Sequence, residues 1–180
     1  MLAQTVHTCL AGEYRAPVFH VRSCIGRADD LLAGKSYYIV EVEALLELVR
    51  ASCGTAPHLF LLDELFRGTN TVERIAAGQA VLLEMLQAGG GATKPHVALA
   101  ATHDGELVDL VSERFDPYHF SDSVGPDGLI FDHRLQHGPA RTRNAIALLR
   151  LHGAPDTLLA RAVTTAETLD RQRGTTLVAR

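Results

Sequence analysis

The apolar and polar residues of this chain alternate in segments whose periods predict strands and helices in turn. The continuous apolar run Leu59-Phe60-Leu61-Leu62 predicts a strand covered on both faces, as in a parallel sheet. The segments Val18–Cys24 and His96–Ala101 predict two further strands. Because helical patterns separate these strands, the expected fold is α/β with a mostly parallel sheet and flanking helices.

Two helices are predicted between the strands. The first covers Ser36–Arg50, and the second runs from about Val72 to Leu86, before the triple glycine at 89–91. The positions at helical spacing that we expect to face the core are Tyr38, Val42, Leu45, Leu46 and Val49 in the first helix, and Val72, Ile75, Ala76, Gln79, Leu82, Leu83 and Leu86 in the second.

The later part of the chain has a different pattern. Tyr118–Val124 and Leu129–Leu135 are joined by Gly125-Pro126-Asp127-Gly128, which favours a reversal and predicts an antiparallel hairpin that extends the sheet. Two carboxyl-terminal helices are expected to follow, the first over 143–152 and the second from Pro155 to about Leu169.

Composition and charge narrow the class of protein. The 180 residues suit one ordinary domain, with 47% hydrophobic and 21% charged residues. No apolar run approaches the roughly 18 residues that span a bilayer, and the polar start predicts a cytoplasmic chain without membrane contact. The net charge of −4 argues against stand-alone nucleic-acid binding. DNA contact is therefore expected through other domains of a larger protein.

Cysteine and histidine spacings give no metal-site pattern. Cys9, Cys24 and Cys53 are odd in number and widely spaced, which predicts buried, reduced thiols. The nine histidines lack convincing metal-ligand spacing on a helix, so a histidine metal site is disfavoured.

Candidate chemistry gathers at the predicted strand ends. Asp63 and Glu64 follow the apolar strand directly, and His103 follows the strand that ends in Ala101-Thr102. Ligands bind at the carboxyl edge of such sheets. In nucleotide hydrolases the first carboxylate of such a pair would hold Mg²⁺, and the second would polarise the water that attacks the terminal phosphate. The alternatives are two solvated acids at a strand end and a histidine that caps a loop.

Two polar turns could complete this edge. In the turn at 29–37, Gly34 allows close approach to backbone N–H groups and Ser36 can cap the following helix, so the turn suits either an anion or a plain cap. The turn at 67–70, which includes Asn70, could reach a partner subunit or simply start the helix at Thr71.

Four motifs follow one another along the chain: the turn at 29–37, the Leu-Leu-Asp-Glu strand end, the Arg-Gly-Thr-Asn turn and the Ala-Thr-His strand end. In this order and spacing they resemble the ATPase domain of the MutS family of DNA mismatch-repair proteins, within the ABC-type P-loop ATPases. The resemblance extends from about Ala3 to Ala162 and includes Phe131–Leu135 and Gly138. It is nearest to the bacterial MutS-related proteins. It implies a P-loop NTPase-like fold.

The resemblance also implies a catalytic set and its cofactors. Asp63 would be the Walker B ligand of Mg²⁺, Glu64 the base that orients the attacking water, and His103 the switch histidine at the γ-phosphate of ATP. In the complete protein, ATP and Mg²⁺ would be bound and hydrolysed, with the motor step coupled to DNA binding and repair.

A dimer is implied as well. Gly34 and Ser36 would belong to the ABC signature loop presented to the ATP of the opposite subunit, and Asn70 would lie in the loop that spans a homodimer interface.

One part of the family pattern is missing. The loop G-x-x-x-x-G-K-[ST] holds the β- and γ-phosphates, but in this sequence Asp29 stands five residues before Gly34-Lys35-Ser36, where that loop has glycine. We therefore expect 1–170 to be a partial ATPase domain truncated at the amino terminus, 171–180 to be a tail, and the isolated chain to bind ATP weakly or not at all. Lys35, Tyr37-Tyr38 and Arg143-Asn144-Ala145 also depart from the mismatch-repair pattern and favour the MutS-related branch.

Two other functions remain open on the residues alone. The chain could be a non-catalytic dimerisation or scaffold module with an NTPase-like surface. A hydrolase that uses serine, His103 and Asp63 is weaker, since no G-x-S-x-G elbow exposes a nucleophile.

Overall fold

The computed structural model describes residue 5 and residues 8–26, 37–87, 96–125, 128–140 and 144–178. The chain divides into two compact units, Met1–Phe115 and Asp116–Arg180. The elements of the first unit are β1 (His20–Cys24), α1 (Tyr37–Ser52), β2 (His58–Asp63), α2 (Thr71–Gln87), β3 (Val97–Ala101) and α3 (Gly105–Val111).

The first unit is built on a parallel sheet of three described strands in the order β1-β2-β3. This arrangement confirms the predicted α/β fold with a parallel sheet. The strands are in register from His20 beside His58 at one edge to Asp63 beside Ala101 at the other. The carboxyl ends of all three strands therefore lie at the same end of the sheet, which we call its carboxyl edge.

The core of this unit lies between β2 and the helices. Its buried apolar residues come from β2 and from all three helices, and they include Leu45, Leu48, Phe60, Leu62, Leu82, Met85, Leu107 and Val111. Each such side chain contributes roughly 1.5–3 kcal/mol when it is fully removed from water. The core thus fixes β2, whose end carries the two candidate acids.

β2 is fully covered on one face only. Phe60 and Leu62 are buried, whereas Leu59 and Leu61 on the opposite face are half-buried. The prediction of complete cover on both faces is therefore wrong for the described part of the chain, although the predicted strand is confirmed.

The core-facing side of α1 is rotated from the predicted one. Tyr38 and Leu46 are 36% and 47% exposed, while Leu45 is 1% exposed as expected. The buried face also includes Glu41, whose Oε1 accepts a hydrogen bond from the backbone N–H of Phe66 at 2.7 Å. This bond turns a charged position inward, which an apolar period cannot indicate. In α2 the predicted core position Val72 is likewise exposed, at 77%.

Helices α2 and α3 pack closely because Gly78 has no side chain. A Cβ atom built on Gly78 would lie 3.2 Å from Cδ2 of Leu107, closer than ordinary van der Waals contact. The sequence did not predict α3, which has only seven residues and so too few turns to show a period.

The amino edge of the sheet carries a cluster of histidines, defined here as His20, His58 and His96. The ring centroids of His20 and His58 lie 5.4 Å apart, and those of His58 and His96 lie 5.3 Å apart. The Nδ1 of His96 accepts a hydrogen bond from the backbone N–H of His58 at 3.2 Å, and its Nε2 lies 3.2 Å from the Ser52 carbonyl oxygen. A neutral imidazole with its proton on Nε2 satisfies both partners.

The second unit contains β4 (Tyr118–Gly125), β5 (Gly128–His137), α4 (Ala145–Leu151) and α5 (Asp156–Val178). The predicted antiparallel hairpin and carboxyl-terminal helices are confirmed, and α5 is longer than expected. Among the described strands, β4 and β5 form a sheet of their own, so the prediction that the hairpin extends the parallel sheet is wrong. The Asn144 side chain donates to the Asp122 carbonyl oxygen at 3.2 Å and ties the start of α4 to the hairpin.

None of the three cysteines forms a disulfide, as predicted, but only Cys24 is buried. Cys9 and Cys53 are exposed, so the prediction of burial is wrong for these two residues. Among the described helices, none combines the length and the apolar character that crossing a bilayer requires.

Candidate active site at the carboxyl edge of the sheet

The ends of β2 and β3 bring two candidate groups together. Asp63 pairs with Ala101 in the register, and the backbone N–H of Glu64 donates to the Ala101 carbonyl oxygen at 3.0 Å. This hydrogen bond extends the ladder one residue beyond Asp63. The loop that begins at Glu64 therefore starts next to the loop that carries His103.

Glu64 adopts a backbone conformation that is uncommon for a residue with a side chain. Its φ is 50°, in the left-handed region, and Phe66 has a φ of 58°. Such conformations cost roughly 1–3 kcal/mol each and persist where the surrounding structure determines them. Here the Phe66 N–H is held by the buried carboxylate of Glu41, so α1 helps to fix the turn that presents Glu64.

Glu64 and His103 approach each other across the edge. The Nε2 of His103 lies 3.6 Å from the Oε1 of Glu64, and the two side chains are 93% and 14% exposed. The separation exceeds an ordinary hydrogen bond, but it places an imidazole and a carboxylate within reach of one shared water or ligand oxygen. The predicted pair therefore meets at one point of the surface.

The described residues at this edge can be compared with what Mg²⁺ requires. Asp63 is partly exposed at the end of β2. Within the described ranges, no group of three or more histidine, cysteine or acidic side chains could hold a metal by itself. Mg²⁺ commonly binds one or two carboxylates together with waters and substrate phosphates, so a single partly exposed aspartate fits this donor set.

Asn70 serves as the cap of α2. Its Oδ1 accepts a hydrogen bond from the Glu73 N–H at 3.0 Å, and the Thr69 hydroxyl donates to the Glu73 carboxylate at 2.8 Å. The hypothesis that this turn starts the helix at Thr71 is thus confirmed. The role of Asn70 at a dimer interface stays a prediction. The predicted signature-loop residues Gly34 and Ser36 lie outside the described residues.

An ion pair that the sequence pattern did not predict lies beside the candidate groups. Nε and Nη2 of Arg74 donate to Oδ2 and Oδ1 of Asp104, both at 2.7 Å. The hydrogen bonds to Asp104 raise the pKa of Arg74, and the negative charges of Asp104, Glu64 and Glu106 act in the same direction, against the cost of burial. The two residues are 30 positions apart. No local spacing rule could have paired them, although an aspartate directly after His103 was a visible signal.

These features define the class of the protein: an α/β domain of the P-loop NTPase-like type, with acidic residues at the carboxyl edge of a parallel sheet. The family model described as MutS domain V matches residues 9–170. The chain belongs to the MutS family.

Individual relatives agree with this assignment. The chain is 34% identical over 179 residues to the DNA mismatch repair protein MutS of Streptococcus suis, covering 97% of this chain and 20% of that protein. It is 33% identical over 149 residues to MutS of Natronomonas pharaonis, covering 81% and 17% of the two chains. For MutS of Thermus aquaticus the identity is 32% over 163 residues, covering 90% and 19%. The chain thus spans about one fifth of the length of these relatives.

Proposed function

We propose that this chain is the part of a MutS-family ATPase that supplies the acidic side chains for ATP hydrolysis. The complete protein then binds and hydrolyses ATP across a dimer interface in DNA repair. The supporting observation is the approach of Glu64 and His103, 3.6 Å apart, at the end of the strand that carries Asp63. The predicted Mg²⁺ ligand, base and switch residues are up to 40 positions apart in the sequence. They lie at one end of the sheet because β2 and β3 are adjacent and parallel.

In the proposed reaction, Glu64 acts on the attacking water. Its carboxylate accepts a hydrogen bond from a water aligned with the terminal phosphorus, and it receives a proton as the water oxygen bonds to phosphorus and the bond to the β-phosphate oxygen breaks. The strained turn at Glu64 holds this carboxylate at the edge of the sheet, partly shielded from solvent. A fixed orientation of this kind lowers the entropy cost of the attack.

His103 and Asp63 have supporting roles in the proposal. The exposed His103 imidazole donates a hydrogen bond to an oxygen of the terminal phosphate, and so it distinguishes ATP from ADP. Asp63 would hold Mg²⁺, which would neutralise negative charge on the phosphates of ATP. Gly34, Ser36 and Asn70 are proposed to contact the nucleotide or the subunit opposite.

The test is Glu64→Gln in a full-length MutS-family protein that carries this sequence. Since a positioned general base contributes roughly 10²–10⁴-fold, ATP turnover is expected to fall by about that factor. ATP binding, measured by calorimetry, is expected to remain. Glu84→Gln on the exposed side of α2 is the matched control and should leave turnover unchanged. Normal turnover in the Glu64 variant would remove Glu64 from its role.

The 180-residue chain itself gives a second prediction. A phosphate-binding loop supplies most contacts to the β- and γ-phosphates, and this sequence contains no complete G-x-x-x-x-G-K-[ST] pattern. We therefore expect weak ATP binding or none when the chain is titrated alone. A dissociation constant in the micromolar range would contradict this expectation.

A second candidate function is a non-catalytic dimerisation or scaffold module. It is favoured by β3, which is an outer strand of the described sheet. On this strand the apolar side chains of Val97 and Leu99 are 42% and 59% exposed. This function predicts that the full-length protein has no ATP turnover and that its dimerisation is unaffected by Glu64→Gln.

A further inference from the structure

The contact between His103 and Glu64 does not by itself fix the imidazole. At 3.6 Å the Nε2–Oε1 separation is too long for a strong hydrogen bond, and 93% of the His103 side chain is exposed. A side chain with so little packing depends on its backbone for its position. The structure that holds the loop at 102–104 therefore determines where His103 lies.

Asp104 is the anchor of this loop. Its backbone N–H donates to the Thr102 hydroxyl at 3.1 Å, and its carbonyl oxygen accepts from Leu107 and Val108 at the start of α3. Asp104 occupies the N-cap position of α3, yet its side chain makes no capping hydrogen bond. The carboxylate instead accepts two hydrogen bonds from Arg74.

Arg74 ties that anchor to the other loop. Its backbone N–H donates to the Asn70 carbonyl oxygen at 2.9 Å, in the first turn of the helix that follows the Glu64 turn. The side chains of Arg74 and Asp104 are only 23% and 14% exposed. A two-pronged arginine–carboxylate contact of this kind fixes orientation as well as distance.

We propose that Arg74 and Asp104 are a positioning pair that holds His103 in line with Glu64, so that hydrolysis depends on an ion pair that touches neither the nucleotide nor the attacking water. The proposal rests on the proposed function for its effect on turnover. Its structural part, the dependence of the His103 position on Arg74, stands independently.

The pH profile separates this role from acid–base catalysis. The pKa of Arg74 is raised above that of a free guanidinium, so the charged form persists below that raised value and is lost only as the pH rises through it. The pair therefore does not titrate on the arginine side in any ordinary assay. Loss of Arg74 should therefore remove no limb from the pH profile of turnover, because a residue that stays protonated throughout the assay is neither the acid nor the base.

The structural test uses nuclear magnetic resonance on the 180-residue chain. Replacing Glu64 by glutamine should shift the imidazole resonances of His103 when Arg74 is present, because the two side chains are in contact. In Arg74→Gln that response should be lost. Arg161→Gln, on the exposed surface of α5, is the matched control and should keep the response. A full response in Arg74→Gln would overturn the proposal.

The functional test uses the full-length protein. Arg74→Gln is expected to lower kcat by roughly 10- to 100-fold with little change in KM, since small displacements of a catalytic group have effects of this size. Arg74→Lys keeps the positive charge but lacks the planar guanidinium that donates two parallel hydrogen bonds. Its kcat should therefore fall nearly as far as that of Arg74→Gln. Full activity in Arg74→Lys would show that the charge suffices and would overturn the positioning role.

The double variant Arg74→Gln/Asp104→Asn completes the test. If the two residues act as a pair, it should be no slower than either single variant. Additive losses would contradict the pair. Failure of the proposed function has a different signature: Glu64→Gln leaves turnover unchanged, while the His103 response still depends on Arg74.

Discussion

At the amino edge of the parallel sheet, the histidine cluster gathers three rings where the strands begin, whereas at the carboxyl edge an exposed His103 faces Glu64. At the amino edge, both nitrogens of His96 lie within hydrogen-bonding distance of backbone groups, and His58 is buried against Phe60. At the carboxyl edge, Glu64 has a left-handed backbone and His103 is almost fully exposed. The same residue type thus serves packing at one edge and is available for chemistry at the other.

A histidine whose ring nitrogens bind backbone groups does not indicate a metal site, even in a chain with nine histidines. His96 uses both nitrogens on backbone groups, which leaves neither available as a ligand lone pair directed at an ion. The approach of Glu64 and His103 leaves carboxylate and imidazole atoms accessible to a ligand. The two edges differ in their hydrogen bonds: the ring nitrogens of His96 already have backbone partners, whereas Glu64 and His103 lie too far apart for a strong hydrogen bond to each other.

The larger expected effect on stability is at the amino edge. His96→Phe keeps a ring of similar shape but leaves the His58 N–H and the Ser52 carbonyl oxygen without this partner. The free energy of unfolding should fall by about 1–3 kcal/mol, as measured by urea denaturation of the chain. His20→Phe, the same change at the exposed first residue of β1, should stay within about 0.5 kcal/mol. Equal losses would remove the distinction between the two histidines.

A smaller effect of opposite sign is expected at the carboxyl edge. Glu64→Gly relieves a left-handed backbone worth roughly 1–2 kcal/mol, against about 0.4–1 kcal/mol for the greater freedom of glycine in the unfolded chain. Glu64→Ala removes the carboxylate but keeps the strain. The glycine variant should therefore be up to about 1.6 kcal/mol more stable than the alanine variant by urea denaturation. An alanine variant more stable than the glycine variant by about 0.4–1 kcal/mol would show that the turn stores no strain.

Much of the first unit could be predicted from the sequence because its strands and long helices have clear periods. The run at 59–62 and the acids that follow it defined β2 and its edge, and adjacent parallel strands then placed His103 near Glu64. The rotation of α1 could not be predicted, since it follows from burial of Glu41 against the Phe66 N–H, 25 residues away.

The candidate site was predictable as a set of residues rather than as a geometry. Asp63, Glu64 and His103 were recognisable from strand ends and from the family resemblance. Arg74 and Asp104 were not, because an ion pair between α2 and the loop before α3 depends on how helices pack. The strain at Glu64 was also hidden, since the sequence gives no glycine or asparagine there to mark a left-handed residue.

The close contact between Gly78 and Leu107 has an evolutionary consequence. Since a methyl group at position 78 would come within 3.2 Å of Leu107, the two positions share one small volume. Related sequences that have a side chain at position 78 should therefore have a smaller residue at position 107. The two positions should change together when such sequences are compared.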